Sequence, residues 1–378
     1  MKKAISALLS ALILIPCIAL FSSCSKAKYE LVLITMGGGV TGKNYDQSAW
    51  DGMTEFAIEH GLDCRYFIPA STTHDGLLSQ VRSAADDGAK VIVTAGKKFE
   101  TVINTAQREY PDVKFILLDG MPHPADTSVD DVKENTASIL YNAEQAGFLA
   151  GYAAVSDGYT SLGFMGGFPD TDTKAYGYGF LQGVKYAASA QGVTPEIRYQ
   201  YTGNTEKNDD NKQKAADMYV NGADLIFASG GDMELSVADA ATDKRGKVIC
   251  SDTDKRHASN AVITSAVKDV STAVRSVLGS IYDTKDFEQK YGGKITYYNA
   301  SNGGAGLSTF VINDINGDAF DRFIKFTKED YQAILSKLAS GEITVKRDIP
   351  TEDRGGYAKA EELISAFGLD NMTVNVIQ

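Results

Sequence analysis

The sequence predicts an α/β protein of two lobes, each a doubly wound parallel sheet, and three observations carry that reading. Short β-branched and apolar runs alternate with helical segments along most of the chain, the grammar of βα units. The alternation begins again after a helix at 143–155. Ten residues also recur in nearly the same order: Asp87-Gly88-Ala89-Lys90-Val91-Ile92-Val93-Thr94-Ala95-Gly96 and Asn221-Gly222-Ala223-Asp224-Leu225-Ile226-Phe227-Ala228-Ser229-Gly230. Each copy reads as a helix end, a Gly cap, a buried strand, and small residues at the strand's carboxyl end. A shared βα grammar could produce the likeness by convergence; two lobes of one design is the simpler account.

In the first half, 29–35 is a continuous apolar run and so a buried strand. Residues 48–60 form a helix stopped by Gly61. Strands follow at 64–68, 90–94 and 114–118. Helices fall at 75–86, with Leu77, Leu78, Val81 and Ala84 on one face, and at 98–109, ended by Tyr110-Pro111. In the second half, strands are expected at 160–165, 196–201, 224–228 and 247–251, and helices at 174–190, 209–220 and 233–241. Open α/β sheets bind ligands beyond the carboxyl ends of their strands. The loops to watch are therefore 36–46, 96–99, 119–121, 166–174, 229–233 and 252–256.

Composition limits the function. The chain has 378 residues, enough for two domains, with 43% apolar and 23% charged residues, which is globular rather than disordered. A net charge of −12 argues against a nucleic-acid or anionic-lipid surface. Four Cys and four His support neither a disulfide scaffold nor a metal site. Cys64 and Cys250 lie in strand-like contexts and read as buried free thiols, with a disulfide between them left open.

The amino terminus stands apart. Lys2 and Lys3 precede an uncharged apolar run from Ala4 to Phe21, and then Ser22, Ser23 and Cys24. This is the plan of a secretory signal. A Cys directly after small residues resembles the bacterial lipobox, with Phe21 in place of the usual Leu, so Cys24 is the expected lipidation site and 24–28 a tether. A signal peptide without lipid and a retained membrane helix are the competing readings. Pro16 and a run shorter than about 20 residues weigh against the second. Removal of residues 1–23 takes two Lys and no acid, so 35 basic residues face 49 acidic ones and the net charge becomes −14.

Residues 37–43 fit the GxxxxGK pattern between a strand and a helix, but the next residue is Asn44. The hydroxyl that a P-loop offers to Mg²⁺ is missing. The glycines still let backbone approach a ligand. Asp314 to Asp318 lacks the terminal acid of a calcium loop and reads as a turn. No arrangement of nucleophile, base and orienting group emerges, so no enzyme and no cofactor is expected.

Several segments stand out together: Tyr45-Asp46-Gln47-Ser48-Ala49-Trp50-Asp51-Gly52, Glu144-Gln145-Ala146-Gly147-Phe148-Leu149-Ala150-Gly151, Gly179-Phe180-Leu181-Gln182-Gly183, Ser251-Asp252-Thr253-Asp254 and Thr264-Ser265-Ala266-Val267-Lys268. In order and spacing they resemble the basic membrane protein, or PnrA-like, family of lipoproteins. The likeness runs from about residue 29 to 346. It implies the type I periplasmic-binding-protein fold, with three crossings between lobes. The lobes implied are 29–140 with about 267–295, and 141–266 with about 296–350, while 351–378 packs on one of them. It also implies a substrate-binding lipoprotein of an ABC transporter, held on the outer face of the cell membrane and acting as a monomer. Its partners would be a purine nucleoside, purine or flavin-type solute and a membrane permease, with no nucleic acid. A riboflavin receptor and a ligand-sensing surface lipoprotein are the alternatives.

Residue by residue, the resemblance places Trp50 where an aromatic stacks on the base and Asp252 where an acid takes ribose hydroxyls. It places Lys268 near the sugar, Tyr45 and Asp46 in the recognition segment, and Asp119 as a further acid. Gly96 and Gly230, paired by the repeat, would bring backbone to the ligand from both lobes. The sequence departs from the pattern at Asp46, where a carboxylate that only accepts replaces an amide. It departs again at 204–206, where a second stacking aromatic is missing and Tyr176 or Tyr201 could serve instead.

Overall fold

A computed structural model describes residues 29–309, 318–350 and 356–377. The expected leader, Cys24 and the turn-like segment from Asp314 lie outside the described residues, apart from Asp318 at its end. The first half runs β1 (Leu31–Ile34), α1 (Tyr45–His60), β2 (Cys64–Phe67), α2 (His74–Asp86), β3 (Val91–Ala95), α3 (Glu100–Glu109), β4 (Lys114–Leu118) and β5 (Thr136–Tyr141). The second begins with α4 (Ala143–Ser156) and continues β6 (Ser161–Gly166), α5 (Thr171–Gln191), β7 (Glu196–Tyr201), α6 (Asp209–Val220), β8 (Leu225–Ser229), α7 (Met233–Lys244), β9 (Lys247–Asp252) and β10 (Val262–Lys268). Then come α8 (Val270–Tyr282), α9 (Phe287–Lys290), β11 (Lys294–Tyr298), β12 (Ala305–Leu307), α10 (Lys328–Ala339), α11 (Ala360–Phe367) and β13 (Thr373–Ile377).

These strands form two sheets, ordered β11-β5-β4-β3-β1-β2 and β12-β10-β9-β8-β6-β7-β13. Within each, the order β2-β1-β3-β4-β5 is repeated as β7-β6-β8-β9-β10, the doubly wound plan. All pairings are parallel except β10 with β12. The internal repeat thus marks equivalent strands, β3 and β8. The core strands β1, β3 and β8 are fully buried, as continuous apolar runs demand when helices cover both faces.

The chain passes between the lobes three times. After β5 it leaves the first sheet, and α4 packs among Phe164, Phe180 and Phe227 of the second lobe. After β10 it returns, and Val270, Val274 and Leu278 of α8 join Leu31, Met53 and Phe56 of the first. After β11, which stays in the first sheet to Tyr298, it crosses again to β12. The last residues belong to the second lobe: β13 pairs with β7, and Leu363, Phe367 and Leu369 enter its core.

Helices α4 and α5 lie backbone against backbone. A Cβ at Gly147 or Gly151 would overlap the carbonyl oxygen of Tyr176 or Phe180, and one at Gly179 or Gly183 that of Glu144 or Phe148. This is why glycines recur at i and i+4 in both helices. The contact seats the first turns of α5, which face the gap between lobes, against the helix that starts at the first crossing.

Two helices begin earlier than periodicity alone suggests. Asn44 accepts from the N–H of Gln47 and starts α1 at Tyr45, and Asp170 accepts from Asp172 and Thr173 and starts α5 at Thr171. The glycine-rich segment 37–43 is loop, and its last residue, Lys43, donates its N–H to Gln47 Oε1 at 2.6 Å. Cys64 and Cys250 are free thiols in different sheets. Cys250 is buried as expected, whereas Cys64, on the edge strand β2, is only half-buried. Among the described residues no helix is long and apolar enough to cross a membrane.

Candidate ligand-binding cleft

The carboxyl ends of β3, β4, β8, β9 and β10 converge between the lobes. Gly96 follows β3 with φ 94° and Gly230 follows β8 with φ 152°, conformations that L side chains avoid. A Cβ at Gly230 would also press on the backbone N of Gly167 at 2.6 Å. Asp119 follows β4 with φ 49° and Asp252 ends β9 with φ 61°. Left-handed backbone at a non-glycine residue is uncommon, although Asp tolerates it better than most. It turns the two carboxylates, one from each lobe, toward the same space.

Lys268, the last residue of β10, fills the middle. Its Nζ lies 2.9 Å from Asp119 Oδ2, 2.9 Å from Asp172 Oδ2 and 3.5 Å from Asp252 Oδ1. Its side chain is only 3% exposed. Tyr45, Tyr141 and Tyr176 surround the ammonium, with ring centroids 6.0, 5.8 and 5.9 Å away. The Tyr176 hydroxyl donates to Asp252 Oδ1 at 3.2 Å. The Tyr45 hydroxyl is buried beside Asp119 without a partner of ordinary hydrogen-bond geometry.

Charge is unevenly shared here. Burial pushes the Asp119 carboxyl up to about 6, with Asp172 adding to the rise and Lys268 opposing it. Burial acts the same way on Asp172, but Lys268 and Arg347 outweigh it and hold that carboxyl below its usual value. Burial opposes the charge on Lys268, yet Asp119, Asp172 and Asp252 keep its pKa well above normal.

Around this cluster lies a cavity of about 270 Å³, lined from both lobes. That is near the lower edge of small-ligand sites, roughly 300–1,000 Å³. Behind its walls a second set of acids ties the loops together. Fully buried Glu234, four residues after Gly230, accepts from Gly230 N–H at 3.0 Å, from Ser251 N–H at 2.9 Å and from Ser251 Oγ at 2.8 Å. It also pairs with Lys255 Nζ at 2.9 Å. Glu100 stands four residues after Gly96 and accepts from Met121 N–H at 3.0 Å. The pseudo-repeat thus extends from glycines to acids to supports. Among the described residues no cluster of His, Cys, Asp and Glu has the arrangement of a metal site.

Residues 29–347 match the family described as ABC transporter substrate-binding protein, PnrA-like. The chain belongs to this family. Basic membrane protein A1 of Borrelia garinii is 26% identical over 83% of this chain and 98% of its own. The ABC transporter nucleoside-binding protein BmpA of Lactococcus lactis is 25% identical over 75% and 82%. The fold is shared with an ABC transporter solute-binding protein of Aeropyrum pernix, at a TM-score of 0.69 and 19% identity over 90% of this chain and 98% of that one. The protein is therefore an extracytoplasmic substrate-binding component of an ABC transporter, with the type I binding-protein fold, and not an enzyme.

Of the nine ligand-binding positions expected in a member of this family, the structure brings seven to the cavity: Tyr45, Gly96, Asp119, Tyr176, Gly230, Asp252 and Lys268. Two need correction. Trp50 is not among the lining residues. It lies on a different face of α1 from Tyr45, packs on the first lobe's core and meets Tyr66 edge-on at 5.2 Å. The aromatic walls are Tyr45 and Tyr176 instead. Asp46 is buried behind the lining, and its carboxylate accepts from Met36 N–H at 3.3 Å. The departure from the family's amide therefore falls on a loop support. Tyr201 is also withdrawn, bonded to the Tyr199 hydroxyl at 3.0 Å.

Sequence reasoning did not single out Lys97, Asp170, Asp172, Thr173, Thr205, Ser229 and Gly231, which also line the cavity. All but Thr205 fall in loops flagged from the strand ends. Asp172 had a readable signal: Pro169-Asp170 is a helix start, and an acid two residues later sits in the first turn.

Proposed function

We propose that the cleft captures a purine nucleoside, or a related flat solute bearing hydroxyls, and presents it to a membrane permease. The observation that carries this reading is the set of carboxylates from both lobes, Asp119 and Asp252, gathered with Lys268 beside the rings of Tyr45 and Tyr176. A carboxylate accepts from two vicinal hydroxyls with charge-assisted strength. A tyrosine face offers broad contact to a heterocycle. The name of the Lactococcus relative, nucleoside-binding, points the same way. The cavity's small volume favours a nucleoside over the larger riboflavin.

The test is mass spectrometry of solute copurifying with residues 25–378, followed by calorimetric titration of the stripped protein with adenosine, inosine and riboflavin. Copurification or binding of a nucleoside supports the reading. Binding of riboflavin alone moves the assignment to the flavin. No copurifying heterocycle and no heat with any of the three overturns it.

We further propose that Cys24 becomes the acylated amino terminus, so the receptor is tethered near its permease. Substitution Cys24→Ser is expected to move the protein from the membrane fraction to the soluble extract. Retention in the membrane fraction would refute the anchor.

A further inference from the structure

We propose that Arg347 is a positioning residue for the cleft, which fastens the two lobes in the closed arrangement by holding Asp172 against Lys268. Arg347 does not line the cavity. Its guanidinium reaches three groups that meet at the first crossing. Nη1 donates to the Tyr141 carbonyl at 2.9 Å, the last residue of β5 in the first sheet. The same nitrogen donates at 3.0 Å to Glu144 Oε2, in the first turn of α4 in the second lobe. Nη2 donates to Asp172 Oδ1 at 2.8 Å. The other oxygen of Asp172 is the one that holds Lys268.

A continuous chain of charge therefore runs Glu144–Arg347–Asp172–Lys268–Asp119. It begins at the first crossing, where β5 gives way to α4. It passes through Lys268, the residue at the second crossing, where β10 gives way to α8. Its last contact, Lys268 to Asp119, is between lobes. The chain can bias closure because its members sit on different bodies, and an ammonium shared by Asp119, Asp172 and Asp252 is sensitive to which of them is fixed. Asp172 is 31% exposed in its side chain and sits on a first helical turn. Without Arg347 nothing else among the described residues bonds Asp172 Oδ1, and Lys268 loses a fixed partner on the second lobe.

The segment that carries Arg347 is itself held in register. Lys346 N–H donates to Gln182 Oε1 at 2.9 Å, while Gln182 Nε2 donates to the Lys346 carbonyl at 2.9 Å. This pair fixes residues 346 and 347 on α5, the same helix that carries Asp172. A guanidinium fork suits the task, because one planar group must serve a carbonyl and two carboxylates.

The latch is tested without ligand by small-angle X-ray scattering on the purified receptor, comparing wild type, Arg347→Met, Asp172→Asn and the double variant. Expected is a larger radius of gyration for Arg347→Met, a similar increase for Asp172→Asn, and no further increase in the double variant, since both act through one contact. Arg347→Lys should recover part of the closure. A radius unchanged in Arg347→Met, or increases that add in the double variant, overturns the proposal. Thermal unfolding of each variant separates opening from general loss of stability: a lower melting temperature at an unchanged radius also counts against it.

A titration with adenosine extends the test and rests on the nucleoside reading. Arg347→Met is expected to weaken adenosine on the order of tenfold, as the loss of one charged hydrogen bond implies, although Arg347 lies outside the cavity lining. Equal affinity in wild type and Arg347→Met refutes the positioning role. If wild type itself gives no heat with adenosine, the nucleoside assignment fails, and the scattering comparison still decides the latch.

Discussion

Replacing Lys268 by methionine is expected to abolish ligand capture and to destabilise the protein by about 3 kcal/mol at neutral pH. Methionine keeps most of the volume and removes the charge. Asp119, Asp172 and Asp252 then face one another across the cleft without the ammonium that joins them. Stripping one partner from a buried ion pair costs about 3–5 kcal/mol. The lower figure applies because the side chains of Asp172 and Asp252 are 31% and 32% exposed and so partly screened.

The pH dependence gives the stronger check. The Asp119 carboxyl is raised to about 6 in the folded protein, above roughly 3.9 for a free side chain. Between those values the native state binds more protons than the unfolded one. The contribution of this group to stability therefore falls as pH rises through about 4 to 6, and is constant above. Loss of Lys268 removes the main influence holding that pKa down, so the window extends upward. The defect in Lys268→Met should be smaller at pH 5 than at pH 8, because acid neutralises the carboxylates that lost their partner. Melting temperatures of both proteins at the two pH values measure it. A defect equal or greater at pH 5 would show that Lys268 is held for packing and not for charge.

What could be read from the sequence follows from which interactions are local. Strands such as 114–118 and helix ends such as Gly61 are written in adjacent residues, and those elements appear where periodicity and capping put them. The repeat revealed Gly96 and Gly230 because a strand and its first loop residue are contiguous in sequence. The pairing of Asp119 with Asp252 depends on β4 and β9, equivalent strands of different sheets, and becomes visible only when the two sheets are superposed strand by strand. Trp50 was misplaced for the opposite reason. Its motif is local and recognisable, but which face of α1 meets the cleft is set by packing between distant elements: Trp50 rests on the first lobe's core while Tyr45, on another face, lines the cavity. Arg347 carried no signal at all. It lies in a segment without periodicity, and all of its acceptors are more than a hundred residues away in sequence.

The two lobes share a design but not its cost, and Glu234→Leu should show this most directly. Glu234 joins the loop after β8 to the end of β9, through the N–H groups of Gly230 and of Ser251, the residue before Asp252. Leucine fits the volume but leaves the N–H groups of Gly230 and Ser251 without their acceptor. It also strands the Lys255 ammonium, whose side chain is 12% exposed, with the Ser251 carbonyl at 2.8 Å as its one remaining partner among the described residues. An uncompensated buried charge of this kind costs about 3–5 kcal/mol. Glu234→Gln keeps an acceptor for the backbone and should lose less. Glu100, the counterpart in the first lobe, is 16% exposed and supports its loop through Met121 N–H with His123 nearby. No buried lysine among the described residues depends on it, so Glu100→Leu should cost about 1–2 kcal/mol, the range for one lost hydrogen bond with a partner left behind. Chemical denaturation of the three variants ranks them. Equal losses in Glu234→Leu and Glu100→Leu would mean that Lys255 escapes to solvent and that the second lobe's support is no more buried in effect than the first. A larger loss in Glu234→Leu, with adenosine binding reduced in the fraction that stays folded, would place the cleft's rigidity in the second lobe. The first lobe would then carry the softer wall, where, among the described residues, Asp119 is the acid that answers to Lys268.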